Sequence, residues 1–379
     1  MRVTNRVTNT ALNRRYTSGV NDVHSRLNKA MNRVSSGAQY ENAAENPLAY
    51  YEGKKMDNQY QDIESKLSLI TDLQKRLEEQ EGGAYAIQTT LAQAQEKVIY
   101  VDSDSNNGLT SISTVRDDLV QKAQFMVNEL NSQYRDYYIY GGSDVSTTPF
   151  SLSVVTNDSI TLTYSHTFPG DSQATKMDIT WEMKGTSVDM SITSNGANGD
   201  VKDIMKAMKE QGRVDVGYGL ISDRNTLLDT YTGGMNLLTG LSSDAVIAGV
   251  SEQEVKDRLY DCPIGLLAQG ILTCDKRIAG QSSASDFSSG MNGLIDKMSS
   301  THSLVSTVYS DLGNKYSLLG DLETKFKKQK QSLEEQYRDK LGADPYQAIM
   351  DMFSEQYSYS ASLQLGSRIM QSSLFDFIR

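Results

Sequence analysis

The feature that most constrains this chain is a helical spacing of apolar residues that recurs at both of its ends. In residues 287–379, apolar side chains return at three- and four-residue steps, and a break at residues 342–345 divides them into two runs. The first run is Val305, Val308, Leu312, Leu319, Leu322, Phe326 and Leu333. Such spacing predicts one apolar seam along a helix, which a lone helix cannot bury.

The outermost part of each end carries its own apolar seam. The N-terminal seam is Val20, Val23, Leu27, Met31 and Val34, and the C-terminal one includes Ile349, Phe353, Leu363, Met370, Leu374 and Phe377. Residues 1–40 hold seven basic side chains against one acid, whereas residues 344–379 hold four acids against two basic side chains. Since opposite charge favours pairing, the ends are predicted to pair, with the middle of the chain at the far tip. Residues 1–15 are polar and lack a strong period, so we expect them to be helical only with a partner.

Between the ends, the spacing of apolar residues predicts a mainly α chain with a small β domain. Helices are expected at 47–100, with a weak point at Gly82-Gly83, and at 111–138, and shorter ones at 201–210, 225–238, 252–260 and 264–278. Alternation of apolar and polar residues predicts short strands at 151–154, 160–164, 177–181 and 188–192. Three regions follow. The terminal coiled coil comprises 1–40 and 343–379, the helical stem comprises 41–145 and 285–342, and the middle domain comprises 146–284.

The composition and the scattered reactive residues do not indicate an enzyme. Only 38% of residues are apolar, and the three histidines lie in unrelated segments without zinc-ligand spacing. Asp102 and Asp104 begin like a calcium loop, but Asn107 and Ser113 stand where that loop needs glycine and glutamate. No catalytic residue, cofactor or metal is therefore predicted. Cys262 and Cys274 are expected to be buried free thiols rather than a disulfide.

The charge and hydropathy patterns limit the partners. The net charge of −11 argues against nucleic acid, although the basic first 40 residues leave a local version of that hypothesis open. No run of eighteen apolar residues is present, so membrane insertion is not expected. The opening residues 1–5 have no apolar stretch, and a cleaved signal peptide is not expected.

Several short motifs at the two ends resemble the bacterial flagellin superfamily. Residues 35–49, which run Ser-Ser-Gly-Ala-Gln-Tyr through Asn-Ala-Ala-Glu-Asn-Pro-Leu-Ala, are similar to a conserved passage of that family, with Ala38-Gln39 replacing its usual Lys-Arg. The aromatic stretch at 137–142 with Pro149-Phe150 resembles the hook-associated branch, which joins hook to filament, more than flagellin itself. Residues 344–348 and the tail from Leu363 to Phe375 are similar to the family's C-terminal motifs. The resemblance covers about the first 150 residues and the last 95.

The resemblance implies a structural protein of the flagellum rather than an enzyme. It implies export without a cleaved signal, terminal helices that fold on assembly, and a ring of subunits in the wall of the flagellar tube. The implied partners are neighbouring copies, another hook-associated protein, flagellin and an export chaperone. Flagellin itself stays open as an alternative, and so does a cytoplasmic coiled-coil binding module with a basic arm.

Overall fold

A computed structural model describes residues 2–40, 42–103, 108–155, 159–185, 187–210, 213–214, 228–229 and 232–375. The long helices lie towards the two ends of the chain: α1 (Arg2–Ser36), α2 (Pro47–Asp102), α3 (Leu109–Leu130), α9 (Ala284–Leu341) and α10 (Pro345–Phe375). Shorter helices lie between them: α4 (Val201–Lys209), α5 (Gly234–Thr239), α6 (Ser243–Ala248), α7 (Glu252–Tyr260) and α8 (Pro263–Ile278). The predicted class, mainly helical with a small β domain, is confirmed.

The chain divides into two compact units. The terminal unit contains Met1–Leu67 and Thr324–Arg379, and the central unit is the continuous stretch Ser68–Glu323. Helices α2 and α9 contribute residues to both. The three regions predicted from the sequence stay predictions.

The β domain of the central unit is a four-stranded antiparallel sheet in the order β3-β4-β5-β6. Its strands are β3 (Phe150–Val155), β4 (Ser159–His166), β5 (Thr175–Lys184) and β6 (Ser187–Ser194). Alternate residues of β4 and β5, such as Leu162 and Trp181, are buried, while the residues between them are polar, namely serine and threonine on β4 and mostly charged residues on β5. Period-two alternation places these two sets on opposite faces of the sheet.

Helices α3 and α8 complete the core of this unit. Arg116 of α3 makes a salt bridge to Asp275 of α8, with 2.8 Å between Nε and Oδ1. Helix α8 also approaches β5 closely, since a Cβ added at Gly265 would lie 2.9 Å from Cζ2 of Trp181. Cys262 and Cys274 are both buried and free.

Two of the predicted helices are wrong in extent. The helix expected to reach residue 138 ends at Leu130, and β1 (Gln133–Tyr134) pairs with β2 (Tyr137–Tyr138) beyond it. Asn131 ends the helix because its side chain bonds the backbone of Phe150, with Nδ2 donating to the carbonyl oxygen at 2.8 Å and Oδ1 accepting from N–H at 3.0 Å. The hairpin turns through Arg135, whose φ is 55°.

The helix predicted at 225–238 is present from Gly234 onward but not at residues 228–229. There β8 (Leu228–Asp229) pairs with β7 (Arg213–Val214), and α5 begins at Gly234, while residues 225–227 and 230–231 lie outside the described part of the chain. A Cβ at Gly234 would overlap the Phe150 ring, so the start of α5 is fixed by a tertiary contact. Helix α6 was not predicted. It is capped by Ser242 at its start and by Gly249, whose φ is 108°, after its last residue, Ala248.

Candidate assembly surface

The start of α10 is fixed by local backbone chemistry. Oδ1 of Asp344 accepts hydrogen bonds from the N–H groups of Tyr346 at 2.9 Å and Gln347 at 3.3 Å. Pro345 occupies the first helical position, where its missing N–H costs no hydrogen bond. Asp344 and Pro345, which interrupt the apolar spacing in the sequence, therefore form the N-terminal cap and first residue of α10.

The turn after α1 is hydrogen-bonded to the turn before α10. The N–H of Gln39 donates to the carbonyl of Leu341 at 2.7 Å, and the N–H of Ala343 donates to the carbonyl of Gly37 at 2.8 Å. Gly37 has a φ of 68°, a left-handed conformation that glycine adopts without steric cost. These bonds set where α1 and α10 begin to run beside each other.

Helices α1 and α10 pair along their length, as the sequence predicts. The Tyr16 hydroxyl donates to the carbonyl of Ser362 at 3.0 Å, and a Cβ at Gly366 would overlap that hydroxyl. Nε of Arg26 lies 3.3 Å from Oε2 of Glu355. Because both of these charged side chains are partly in solvent, the ion pair contributes only about 0–1 kcal/mol.

The predicted seam residues of α1 lie partly in this contact. Val20, Val23 and Leu27 are half-buried, while Met31 and Val34 are exposed. On α10 the predicted residues lie elsewhere, because Ile349, Phe353 and Leu363 are exposed. The side chains of Met370 and Leu374, and all of Phe377, lie outside what the structure describes.

A different set of α10 residues faces α1. Its members contact Arg26, the ring of His24 or Tyr16, and they are Glu355, Tyr359, Ser362 and Gly366. Their steps of four, three and four residues describe one face of a helix. The contacts of α10 with α1 are therefore made largely through polar groups rather than through a strongly apolar seam.

The opposite side of α10 is apolar and uncovered within the described chain. We call it the outer stripe, and it consists of Tyr346, Met350, Phe353 and Tyr357. Each residue of the outer stripe lies nine positions before one of the residues that face α1. Nine residues make about two and a half helical turns, so the two sets lie on opposite sides of α10. Tyr346 is 82% exposed, Tyr357 78% and Phe353 58%.

The outer stripe also lies in a stretch with few charged residues. Between Tyr346 and Ser367 the only charged residues are Asp351 and Glu355, and both are half-buried rather than on the stripe. Solvated helix faces usually carry charges, whereas aromatic and Met-rich faces without charge are typical of protein interfaces. Arrayed along one face, these side chains form a candidate docking surface.

Sequence reasoning missed the tyrosines of this surface. The seam was traced through aliphatic and phenylalanine residues, and Tyr346 and Tyr357 were not counted with them. Their spacing with Met350 and Phe353 was a signal present in the sequence. Tyrosine is enriched at interfaces because it has a large apolar ring and a polar tip.

The described residues offer little for other kinds of site. No group of three or more His, Cys, Asp or Glu side chains among them could hold a metal ion. Within the same ranges, no helix is long and apolar enough to cross a membrane. The outer stripe is the candidate site among the described residues.

Comparison with known proteins gives a fold likeness. No protein-family model and no curated protein sequence matches this chain. A solved structure described as a candidate flagellar hook-associated protein from Vibrio parahaemolyticus is similar, with a TM-score of 0.50 and 13% identity. The match covers 79% of this chain and 100% of that one. At this identity the likeness shows a shared fold.

Proposed function

We propose that this chain is a structural subunit of the bacterial flagellum, acting at the junction of hook and filament as hook-associated protein 3 does. The observation that carries the proposal is the outer stripe of α10, an uncharged aromatic face without a partner among the described residues. The fold likeness to the Vibrio structure and the end motifs support the flagellar setting.

The mechanism that we propose is coupled folding and assembly. Packing on neighbouring copies would cover the outer stripe and the predicted seam residues, including Met31, Val34, Ile349 and Leu363. Repeating one heterologous contact without closure builds the wall of a tube, so one kind of subunit suffices for a tier. Its partners would be further copies, another hook-associated protein on the hook side, flagellin on the filament side and an export chaperone. The protein would work outside the cell.

An attachment experiment tests this role. Hooks stripped of filaments are incubated with the purified protein, pelleted and examined by immunogold electron microscopy. We expect gold at the distal hook end only, and no filaments from the protein alone. Long filaments from the protein alone would instead assign it to flagellin. No attachment, together with α1 and α10 resistant to protease in the monomer, would favour the coiled-coil binding module.

A single substitution tests the stripe itself. We expect Phe353→Asp to weaken attachment to hooks by about 30-fold or more, because the contact would bury a carboxylate without a partner. Since Phe353 is exposed in the monomer, the melting temperature of the Phe353→Asp protein should differ from that of the unaltered chain by no more than about 2 °C. Attachment is measured by quantitative pelleting, and melting by circular dichroism.

The matched control is Val155→Asp, which places the same charge at an exposed apolar position on the edge strand β3. We expect this variant to attach normally. If both variants lose attachment equally, or neither does, the outer stripe is not the assembly surface.

A further inference from the structure

One edge of the four-stranded sheet is open. Among the described residues, β3 is the outermost strand of the order β3-β4-β5-β6, and it has a neighbouring strand on its β4 side alone. The N–H of Ser165 donates to the carbonyl of Pro149 at 2.8 Å, so in this register the backbone groups of the odd-numbered residues of β3 face β4. The backbone groups of Phe150, Leu152 and Val154 therefore point away from the sheet.

These outward groups are engaged at Phe150 and open beyond it. The carboxamide of Asn131 bonds both the N–H and the carbonyl of Phe150, as a neighbouring strand would. Within the described ranges, no hydrogen bond joins the N–H or the carbonyl of Leu152 or Val154 to another residue. We call residues 151–155 the β3 edge.

The opposite edge of the sheet is protected, and the β3 edge is not. On β6 the carbonyl of Val188 accepts from the Tyr260 hydroxyl at 2.9 Å, and the N–H of Met190 donates to Oδ1 of Asp189 at 3.0 Å. Covering groups and charged side chains are the usual means by which proteins keep an edge strand from pairing. Residues 145–157, which include the β3 edge, contain no charged side chain.

The apolar side chains of the β3 edge are only partly covered. Leu152 and Val154 are half-buried, whereas Leu162 and Ile160, which lie opposite them on β4, are buried. A further strand beside β3 would cover these side chains and bond the open backbone groups. Backbone bonds joined to alternate side-chain contacts are what strand addition to a sheet edge uses.

The β3 edge is complementary to a second copy of itself. In an antiparallel pair with a two-fold axis at Ser153, Leu152 of each copy lies opposite Val154 of the other, and each of these two residue pairs exchanges two hydrogen bonds. The arrangement uses every open outward group of both edges and brings apolar side chains together on one face. Val155, the last residue of β3 to pair with β4, lies opposite Ser151, so the second strand ends before it reaches Asn131.

We propose that free copies of this chain pair reversibly through the β3 edge, antiparallel and with Ser153 at the two-fold axis. The pair covers an edge that would otherwise template uncontrolled strand pairing. Five residues from each copy bury less than the roughly 1,200 Å² of a standard interface, so we expect pairing at concentrations on the order of 100 µM and a monomer at low micromolar concentration. The net charge of −11 on each copy also opposes tight association.

This contact does not rest on the proposed function. Copies within one tier of the proposed tube all point the same way, whereas a two-fold axis reverses one copy relative to the other. The pair therefore belongs to free copies, and the outer stripe takes no part in it.

Cysteine cross-linking of the full chain tests the register. Ser153→Cys places two thiols in a non-hydrogen-bonded pair with Cα atoms about 4.5 Å apart, within the range of a disulfide. In Ser151→Cys the two thiols would lie about 14 Å apart, because each faces Val155 of the other copy. With oxidised glutathione, we expect Ser153→Cys to form a disulfide dimer at least about tenfold faster than Ser151→Cys. Non-reducing electrophoresis measures the dimer, and the buried Cys262 and Cys274 give every variant the same background.

A mixture of two variants provides the positive control for this register. Ser151→Cys and Val155→Cys, each slow alone, should form a mixed dimer together as readily as Ser153→Cys forms its own. Equal cross-linking of Ser151→Cys and Ser153→Cys on their own would overturn the register.

Sedimentation velocity between about 10 and about 300 µM measures pairing without a cross-link. It is carried out in the Phe353→Asp background, so that the outer stripe makes no contribution. Ser153→Asp would place two carboxylates opposite each other at the axis, so its weight-average mass should stay that of a monomer. Ser191→Asp puts the same charge at an exposed position of β6 and should pair as the parent does. No rise in mass of the parent with concentration, or the same rise in Ser153→Asp, would overturn the pairing.

Hook attachment separates this inference from the proposed function. Ser153→Asp, with Phe353 intact, should attach to hooks as the unaltered chain does. Loss of pairing with attachment retained supports the β3 edge as a contact of free copies, and loss of both in Ser153→Asp would overturn that separation. Failure of the unaltered chain to attach, with its pairing intact, would count against the proposed function alone.

Discussion

At the scale of single residues, the side chain of Asn131 takes the place of a neighbouring strand for Phe150. Its carboxamide donates to and accepts from the backbone of Phe150, which gives the first residue of β3 the pair of bonds that a neighbouring strand would supply. The same residue ends α3, so one side chain fixes where the helix stops and where the sheet begins. Asparagine suits this position because only a carboxamide offers a donor and an acceptor side by side.

We expect Asn131→Ala to lower the free energy of unfolding by about 1–3 kcal/mol, because it leaves two partly buried backbone groups without partners. Urea unfolding followed by circular dichroism measures the change. Asn128→Ala, an exposed position one turn earlier on α3, is the control and should stay within about 0.5 kcal/mol of the unaltered chain. Equal losses in both variants would mean that the bond to Phe150 does not stabilise the fold.

At the scale of elements, the neighbouring glycines of α2 show that an apparent weak point can be a packing device. The pair Gly82-Gly83 predicts a break, yet α2 runs through it unbroken. Gly82 is exposed and has no neighbour near an added Cβ, whereas a Cβ at Gly83 would lie 2.7 Å from the Tyr140 hydroxyl. Tyr140 is fully buried, and its hydroxyl donates to the carbonyl of Gln80 at 2.5 Å, so it cannot move aside.

The two glycines are therefore expected to respond to alanine with opposite signs. Gly82→Ala should raise the free energy of unfolding by about 0.5–1 kcal/mol, because alanine loses less backbone freedom in a helix. Gly83→Ala should lower it by about 1–3 kcal/mol through overpacking against Tyr140. Urea unfolding measures the free energy of unfolding of both variants and of the unaltered chain, and each variant is the control for the other. A shift of the same sign in both would contradict the role given to Tyr140.

The elements that could be predicted from the sequence are those whose signal is local. Helices α7 and α8 and strands β3–β6 lie within about three residues of their predicted positions, because an apolar period and nearby caps or turns define them. The ends of α3 and α5 could not be predicted. They depend on Asn131 and Gly234, which both meet Phe150 through tertiary contacts that no local window contains.

The candidate site could be predicted in part. Pairing of α1 with α10 follows from the seams and charges at the two ends, and Val20, Val23 and Leu27 lie partly in that contact. Which face of α10 it uses could not be read from the sequence, since Gly366 and Ser362 carry no hydrophobic signal. Their fit to Tyr16 is a matter of shape, and it leaves the more apolar side of α10 free.

At the scale of the whole molecule, the sheet core and the proposed assembly surface lie in different units of the chain. The central unit is continuous in sequence and contains the sheet, α3 and α8 with their buried side chains. The terminal unit carries the α1–α10 pair and the outer stripe. Under the proposed function, the first supplies a stable body and the second supplies the contacts between subunits.

This division predicts that residues 68–323, expressed alone, fold as a soluble monomer that does not attach to hooks. The buried residues Leu119, Trp181 and Leu267 all lie within this stretch, so we expect its core to form without the terminal unit. Trp181 is the one tryptophan of the chain, so its fluorescence reports on this core without interference. The fragment should show the emission of a buried tryptophan and one cooperative urea transition, with attachment measured by the same pelleting experiment. The full chain without residues 1–30 and 350–379 should behave in the same way. Solvent-exposed emission from either protein in buffer would show that the central core depends on the terminal helices, and attachment of the fragment to hooks would remove the outer stripe from the assembly mechanism.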